Sequence, residues 1–502
     1  MNRSSRREFI KKAGSIGLGV GILGSSQLVS ACQARKKYPN IVFVFADQHR
    51  KHAMGFVGEE PVITPNIDRF SDESAVMDNA ISSYSLCSPF RSTLMTGRFP
   101  LSTGIVTNTK PGLTMELGEN EICLGDVWKA NNYQTCYIGK WHLDAPELTK
   151  KESTQSGAED WDAFVPPGPR RHGFDHWYAY NAADYHFTPH YWRDTPEKIK
   201  VNEWSPTHET SEAISFIRQR DKSKPFSLIV SWNPPHPPYV APEDYKNLYN
   251  REKLPLRKNA EGSGKNHQKG RDVMLEYYAA VSSCDHEFGR ILNTLKEEGI
   301  EDDTIVVYTA DHGEMLGSHD KMSKNIWYEE SINIPFMIRW PGKIKPGSYQ
   351  SLFPSYDFMP SLLGVMGLPI PDRVEGTDRS GLWLNESVQA APSAVLLQRI
   401  GVPNETAPVA LGQDPSPYVV SAYQLGQQGV DWRQNWYRGI RTEDATYVVS
   451  KGQDMSKTRI LLYDNRKDKY QLNPKELKEH ASEYESVLQD WLDKSGDEFR
   501  LS

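Results

Sequence analysis

Residues 40–46 read Asn40-Ile41-Val42-Phe43-Val44-Phe45-Ala46, apolar at every position from Ile41 onward. A run without polar alternation is the pattern of a strand covered on both faces. Three further runs share this character: Thr135 to Ile138, Phe226 to Trp232 and Thr304 to Thr309. Patterns with helical spacing fall between them, most clearly Val273 to Glu298, which Gly299 terminates. Strands alternating with helices predict an α/β fold, a large and mostly parallel sheet sandwiched by helices. Ligands of such sheets bind beyond the carboxyl ends of the strands. Polar residues stand at three of those ends: Asp47, Asp311, and His236 just past Trp232.

Toward the C-terminus the pattern changes. Asn259 to Arg271 is polar and contains glycine, which predicts a mobile loop, and residues 392–428 read as irregular. Trp436 to Thr442, Ala445 to Ser450 and Ile460 to Asp464 then read as short strands, and Lys475 to Leu492 as an amphipathic helix. The expected organisation is a catalytic α/β domain over 38–390 and a smaller C-terminal α+β subdomain over 391–502, with a short antiparallel sheet. No repeat of solenoid or propeller period is visible.

Toward the N-terminus, Arg6-Arg7 precedes a weakly apolar, Gly-rich run from Ala13 to Leu28 that ends at Val29-Ser30-Ala31-Cys32. This resembles a bacterial twin-arginine signal joined to a lipoprotein cleavage box. The resemblance implies a signal peptide over 1–31, a lipid on Cys32 that holds the protein to a membrane, and a polar tether over 32–37. The expected location is the bacterial cell envelope, in the periplasm or on the outer membrane. The whole chain of 502 residues has a net charge of −7. That balance argues against a nucleic-acid binder, which carries a basic excess. Five cysteines are too few for a disulfide scaffold of this length.

The chemistry centres on Cys87-Ser88-Pro89-Phe90-Arg91, which continues through Thr96-Gly97-Arg98. Gly139-Lys140-Trp141-His142-Leu143, Pro235-His236-Pro237-Pro238-Tyr239, Ala310-Asp311-His312-Gly313-Glu314 and Lys324 ahead of Tyr328-Glu329-Glu330 follow in order. Together with Asp47-Gln48, these segments resemble those of the type I sulfatases of the alkaline phosphatase superfamily, and the likeness runs from Asn40 to about Asn473. It implies that a maturation enzyme oxidises Cys87 to formylglycine. It also implies a divalent cation held by Asp47, Gln48, Cys87, Asp311 and His312, Ca²⁺ in the first place, with Mn²⁺ or Mg²⁺ as alternatives. Two carboxylates balance one such ion.

A sulfate ester is an anion, so its site has to neutralise charge and hold the nucleophile in line. By the same resemblance, Lys140 and Lys324 bind sulfate oxygens, and Arg91 orients the nucleophile. A hydroxyl of the hydrated aldehyde attacks sulfur, and His236 or Lys324 protonates the leaving oxygen. His142 then takes the proton from the second hydroxyl, and sulfate departs. Gln48 departs from the commoner second Asp, and His312 from the Asn of some members. The pair leaves metal identity open and keeps a phosphonate monoester or phosphodiester hydrolase as the alternative enzyme. A non-catalytic lipoprotein that binds sulfated glycans is the alternative of another class.

Between Trp161 and Trp192 stand Trp177, Tyr178, Tyr180, Tyr185 and Tyr191, with His186 and His190; Arg170 and Arg171 lie in the same stretch. Rings interleaved with cations suit a sulfated sugar, and equally suit packing of an insertion against the sheet. Trp432, Arg433, Trp436 and Arg438 are further candidates for a pocket rim. A sulfated carbohydrate is the expected substrate.

Overall fold

In the computed structural model, Ile41, Phe43 and Phe45 enter one apolar cluster and Val42 and Val44 another, all five fully buried. Alternation across the pleat makes this strand the centre of a layered fold. The described residues are 38–150, 154–384, 391–400, 434–452, 457–479 and 481–501. The leader and tether over 1–37, and Trp432 and Arg433, lie outside them.

The strands are β1 (Asn40–Asp47), β2 (Ala75–Ile81), β3 (Gln134–Lys140), β4 (His176–Tyr180), β5 (His190–Tyr191), β6 (Ile199–Lys200), β7 (Phe226–Pro235), β8 (Thr304–Ala310), β9 (Phe336–Arg339), β10 (Gly347–Pro354), β11 (Ala394–Arg399), β12 (Trp436–Thr442), β13 (Ala445–Gly452), β14 (Arg459–Asp464) and β15 (Lys475–Leu477). Eight of them form one sheet in the order β10-β2-β9-β8-β1-β7-β3-β4. Only β9 runs against its neighbours there. One face packs on the helices Cys87–Thr96, Leu124–Ala130 and Phe358–Met366. The other packs on Pro65–Asp72, Ser205–Gln219 and Lys265–Glu297. Because β3, β7, β1 and β8 are adjacent and parallel, Lys140, Asn233, Asp47 and Asp311 end up side by side at one edge.

The second sheet is antiparallel, β11-β12-β13-β14-β15. Val395, Leu397, Tyr437, Val448, Leu461 and Tyr463 pack from it onto Ile81, Phe99, Leu352 and Tyr356 of the main body. Its opposite face takes Leu488 and Leu492 of the helix Ser482–Ser495.

The structure corrects the sequence reading in three places. Lys265 to Arg271 is not loop but the first turns of the helix Lys265–Glu297. Asp320 Oδ1 accepts from the backbone N–H groups of Asn266 (2.8 Å) and His267 (3.1 Å). A cap supplied from some fifty residues away leaves no local signal. Lys475–Leu477 is strand rather than helix, because Leu477 pairs with Ile460 on β14. Ala394–Arg399, inside the stretch read as irregular, is strand β11, buried from Ala394 to Gln398. Cys87, Cys123, Cys136 and Cys284 are all buried, and none is in a disulfide among the described residues. Among the described residues no helix is long and apolar enough to cross a membrane.

Candidate active site

Each main-sheet strand delivers its polar residue through a local device. At the end of β1 the chain turns at Gln48 with φ 69°. That left-handed turn aims the Gln48 N–H at Asp311 Oδ1, 3.0 Å away. Residues held at positive φ without glycine's freedom store strain, which concentrates at functional sites. His142, just past β3, has φ 56°. Gly139 precedes it at φ 97°, and a Cβ there would stand 2.2 Å from the Ser231 carbonyl, so only glycine fits against β7. Cys87 opens the helix Cys87–Thr96, and Arg91 follows one turn later on the same face.

Asp47, Cys87, Asp311 and His312, all fully buried, bring one donor atom each to within 4.8 Å of one another. His312 Nε2 is 3.3 Å from Cys87 Sγ and 3.5 Å from Oδ1 of both aspartates. The other carboxylate oxygens are held from behind. Arg91 Nη2 donates to Asp47 Oδ2 (3.1 Å) and Asp311 Oδ2 (3.2 Å), and Lys140 Nζ to Asp47 Oδ2 (2.7 Å). Thus the Oδ1 atoms converge inward while the Oδ2 atoms are neutralised outward. The His312 Nδ1 atom is 3.0 Å from the Gly313 carbonyl, to which it donates as N–H. Burial, then Lys324, hold the ring well below its usual value, so it stays neutral. A bare Nε2 lone pair then faces two carboxylate oxygens at 3.5 Å, an arrangement that a cation between them relieves. The donor set therefore fits a divalent ion.

Burial works to raise the Asp47 carboxyl, but Lys140, with His236, Lys324 and Arg91, overrides it and holds the group well below the carboxylate range. Asp311 is raised by burial and by the Asp47 charge. Burial and Asp47 push the Cys87 thiol up to about 12, so as an unmodified thiol it is no thiolate at neutral pH. Its Sγ stands in for the oxygen that a converted side chain would carry. Arg91 Nε is buried and makes no hydrogen bond, a donor left for a group that the structure does not hold. Its other nitrogens are committed to the aspartates, the Lys140 carbonyl (2.7 Å) and Ser231 Oγ (2.9 Å).

Three expected residues behave differently from the reading. The Gln48 side-chain oxygen accepts from Lys324 Nζ, and its amide nitrogen donates to Glu314. Glu314 also accepts from the backbone N–H of Leu316 (2.8 Å) and Ser323 (2.6 Å). It thereby fixes Gln48 and the loop carrying Lys324, a tie between positions 48 and 314 that sequence spacing cannot show. Arg438 is not at a pocket rim. It is fully buried in an ion pair with Asp497, and Trp436 lies under Arg399, 3.2 Å from ring centroid to guanidinium.

A cavity of about 340 Å³ opens onto Lys140, His142 and His236. His142 Nε2 lies 3.2 Å from the Thr109 carbonyl, and its Nδ1, though buried, has no partner. Burial, then Lys140 and Arg91, keep the ring neutral. His236 Nδ1 lies 2.8 Å from the Pro237 carbonyl and 3.2 Å from Asp184 Oδ1, and Asn233 Nδ2 donates to the same Asp184 oxygen at 3.1 Å. Sequence reasoning missed Asp184 and Asn233, which carry no motif. Of the aromatic insertion, Trp161, Tyr185 and His190 line the cavity. Trp177, Tyr178, Tyr180, Tyr191 and Trp192 are core. Arg170 pairs with Asp144 and Arg171 with Asp194.

A cation-ready acidic centre at the carboxyl edge of a parallel sheet, backed by arginine and lysine, defines an alkaline phosphatase-like hydrolase of anionic esters. Residues 39–368 match the family model described as Sulfatase. The chain belongs to the sulfatase family, the sulfuric ester hydrolases. It is 34% identical to an endo-4-O-sulfatase of Bacteroides thetaiotaomicron, over 91% of this chain and 93% of that one. It is 33% identical to an ulvan-active sulfatase of Formosa agariphila, over 92% and 82% respectively. A solved Bacteroides thetaiotaomicron structure from work on glycosaminoglycan metabolism superposes with a TM-score of 0.79 at 32% identity, covering 92% of this chain and 97% of that one.

Proposed function

We propose that the protein hydrolyses sulfate esters on a carbohydrate, at the centre built around Cys87. The observation that carries this is the convergence of Asp47, Cys87, Asp311 and His312 within 4.8 Å, next to a cavity lined by Lys140, His142 and His236. The relatives named for endo-4-O-sulfate and ulvan support a glycan as substrate. A divalent cation, Ca²⁺ first, would be held by Asp47, Asp311 and His312, with Gln48 alongside. When present it supplies positive charge to sulfate oxygens, and formylglycine at position 87 supplies the attacking oxygen.

The chain's own groups do the rest. Lys140 spends two of its three N–H donors on Asp47 and Asn233 (2.9 Å), leaving one for a sulfate oxygen. Lys324 adds a second cation, kept in place through Gln48. Arg91 fixes the aspartates, and from the same helix face, one turn on, it would orient the oxygen at position 87. With its Nε2–H on the Thr109 carbonyl, His142 presents Nδ1 as an acceptor, the state a general base requires. Asp184 holds the Nδ1–H side of His236, so in the protonated ring Nε2–H is the donor to the leaving oxygen, and the ring is left neutral. Burial lowers His236, with Lys324 and Lys140 acting in the same sense, while Asp47 and Asp184 favour its charged form.

The test is sulfate release by the converted protein from defined sulfated mono- and disaccharides, set against phosphonate monoesters and phosphodiesters. A higher kcat/KM for a phosphodiester contradicts the proposal. We also infer export and lipid attachment at Cys32 from Arg6-Arg7 and Val29-Ser30-Ala31-Cys32. Conversion of Cys87 then precedes export, because a maturation enzyme needs the segment unfolded and Cys87 is fully buried once folded. Envelope protein that starts upstream of Cys32 would contradict this.

A further inference from the structure

The sulfate-binding end of the cavity is positive, but its outer wall is not. Glu159, Asp160, Trp161, Asp162, Asp184 and Tyr185 line it beyond the two catalytic histidines. Two of these carboxylates have structural duties. Asp162 pairs with His190 Nε2 (2.5 Å) and accepts from the Asn181 N–H (2.8 Å), and Asp184 holds His236. Glu159 and Asp160 are exposed and make no ion pair among the described residues. Trp161 is 38% exposed and Tyr185 46%, the exposed rings of the aromatic insertion that line the cavity. Trp161 stands 6.0 Å from His142, ring centroid to ring centroid, so a sugar lying on it is beside the unpartnered Nδ1. Burial and then the four carboxylates, Glu159, Asp160, Asp162 and Asp184, all act to raise the Tyr185 phenol. Their combined negative field therefore falls where the rest of a substrate has to sit.

We propose that this wall is a charge filter. The cavity takes a sugar ring whose only anion is the ester being cleaved, with hydroxyl, N-acetyl or ammonium groups toward Glu159 and Asp160, and it turns away rings bearing a carboxylate or a second sulfate on that side. A like charge facing an unpaired carboxylate is repelled, whereas a hydroxyl or ammonium donates to it. Selectivity then comes from a repulsive element in addition to the attractive one. The inference rests on the reading of the protein as a glycan sulfatase.

The test uses full-length converted protein and three substrates. They are whichever positional isomer of monosulfated N-acetylhexosamine is turned over fastest, its free-amine counterpart, and its counterpart with a second sulfate on the same ring. Sulfate release gives kcat/KM for wild type and for the double variant Glu159→Gln/Asp160→Asn, whose sites are exposed. At low salt wild type is expected to favour either monosulfated ester over the disulfate by at least about tenfold, and the variant by less than about threefold. Raising salt from about 0.05 M to about 0.5 M should shrink the wild-type preference and leave the variant's unchanged. A wild-type ratio near one, or a ratio that the substitutions leave intact, overturns the filter while the sulfatase reading stands. No sulfate from any of the three overturns both.

Discussion

Replacing Arg91 by methionine tests the architecture of the centre. The guanidinium is fully buried and bridges Asp47 and Asp311 at 3.1 and 3.2 Å, with the Phe45 ring 4.8 Å beneath it. Methionine keeps the apolar stem against Phe45 and removes the charge. Asp47 then keeps Lys140, and Asp311 loses the arginine that offsets its charge. Breaking a buried pair by deleting one partner costs about 3–5 kcal/mol. Asp311 is already raised, so it takes up a proton and limits the loss, placing the expected cost near the lower figure. The assay is urea unfolding in chelator, followed by tryptophan fluorescence, for wild type, Arg91→Met, Asp311→Asn and the double variant. Asp311→Asn keeps an acceptor for the Gln48 N–H while removing the charge that Arg91 offsets. The double variant should therefore be more stable than the sum of the singles predicts, by about 2 kcal/mol. Additivity within about 0.5 kcal/mol would refute the bridging role assigned to Arg91.

Three further outcomes are expected. His142→Gln should lower kcat about 10²- to 10⁴-fold with little change in KM, as loss of a general base does, and an unchanged kcat removes it from the reaction. Glu314→Gln should raise the cation concentration for half-maximal sulfate release about 10- to 100-fold, because it loosens Gln48 and the Lys324 loop together; an unshifted cation titration refutes that link. His49 and His186 are buried, and burial chiefly lowers each to about 4. The unfolded chain therefore binds protons at these positions before the folded one does, so stability is lost as pH falls from about 6.5 toward 4, by about 2 kcal/mol per residue between about pH 7 and pH 5. Asp285 and Asp357, raised by burial to about 6, act in the opposite sense as they protonate first in the folded state. Comparing urea midpoints at the two pH values, His49→Gln should reduce the net acid loss by that amount; an unchanged loss contradicts the neutral buried ring.

The four runs that predicted the parallel core are strands β1, β3, β7 and β8, because strands buried on both faces leave an unbroken apolar record. The shorter β9 and β11 were illegible for the opposite reason, since a few apolar residues fit helix or strand equally. Among site residues, Asp47, His236 and Asp311 could be read because each stands at or just past the end of such a run, whereas Lys140 was legible only through the Gly139-Lys140-Trp141-His142-Leu143 segment. Glu314 lay within a quoted motif, but its hold on Gln48 spans 266 positions and has no local signature. Asp184 and the acidic wall at Glu159 and Asp160 come from a long insertion whose rings could have meant either core or subsite. Burial divides it, with Trp161 and Tyr185 facing the cavity while Trp177, Tyr191 and Trp192 fill the core.

The central claim is that sulfate esters are cleaved by the group made from Cys87. Its most direct test is the rate of sulfate release measured across preparations that differ in the fraction of chains converted at Cys87, that fraction being read by mass spectrometry of the Phe70–Arg91 peptide. A straight line through the origin is expected. A rate that persists in fully unconverted protein would contradict it.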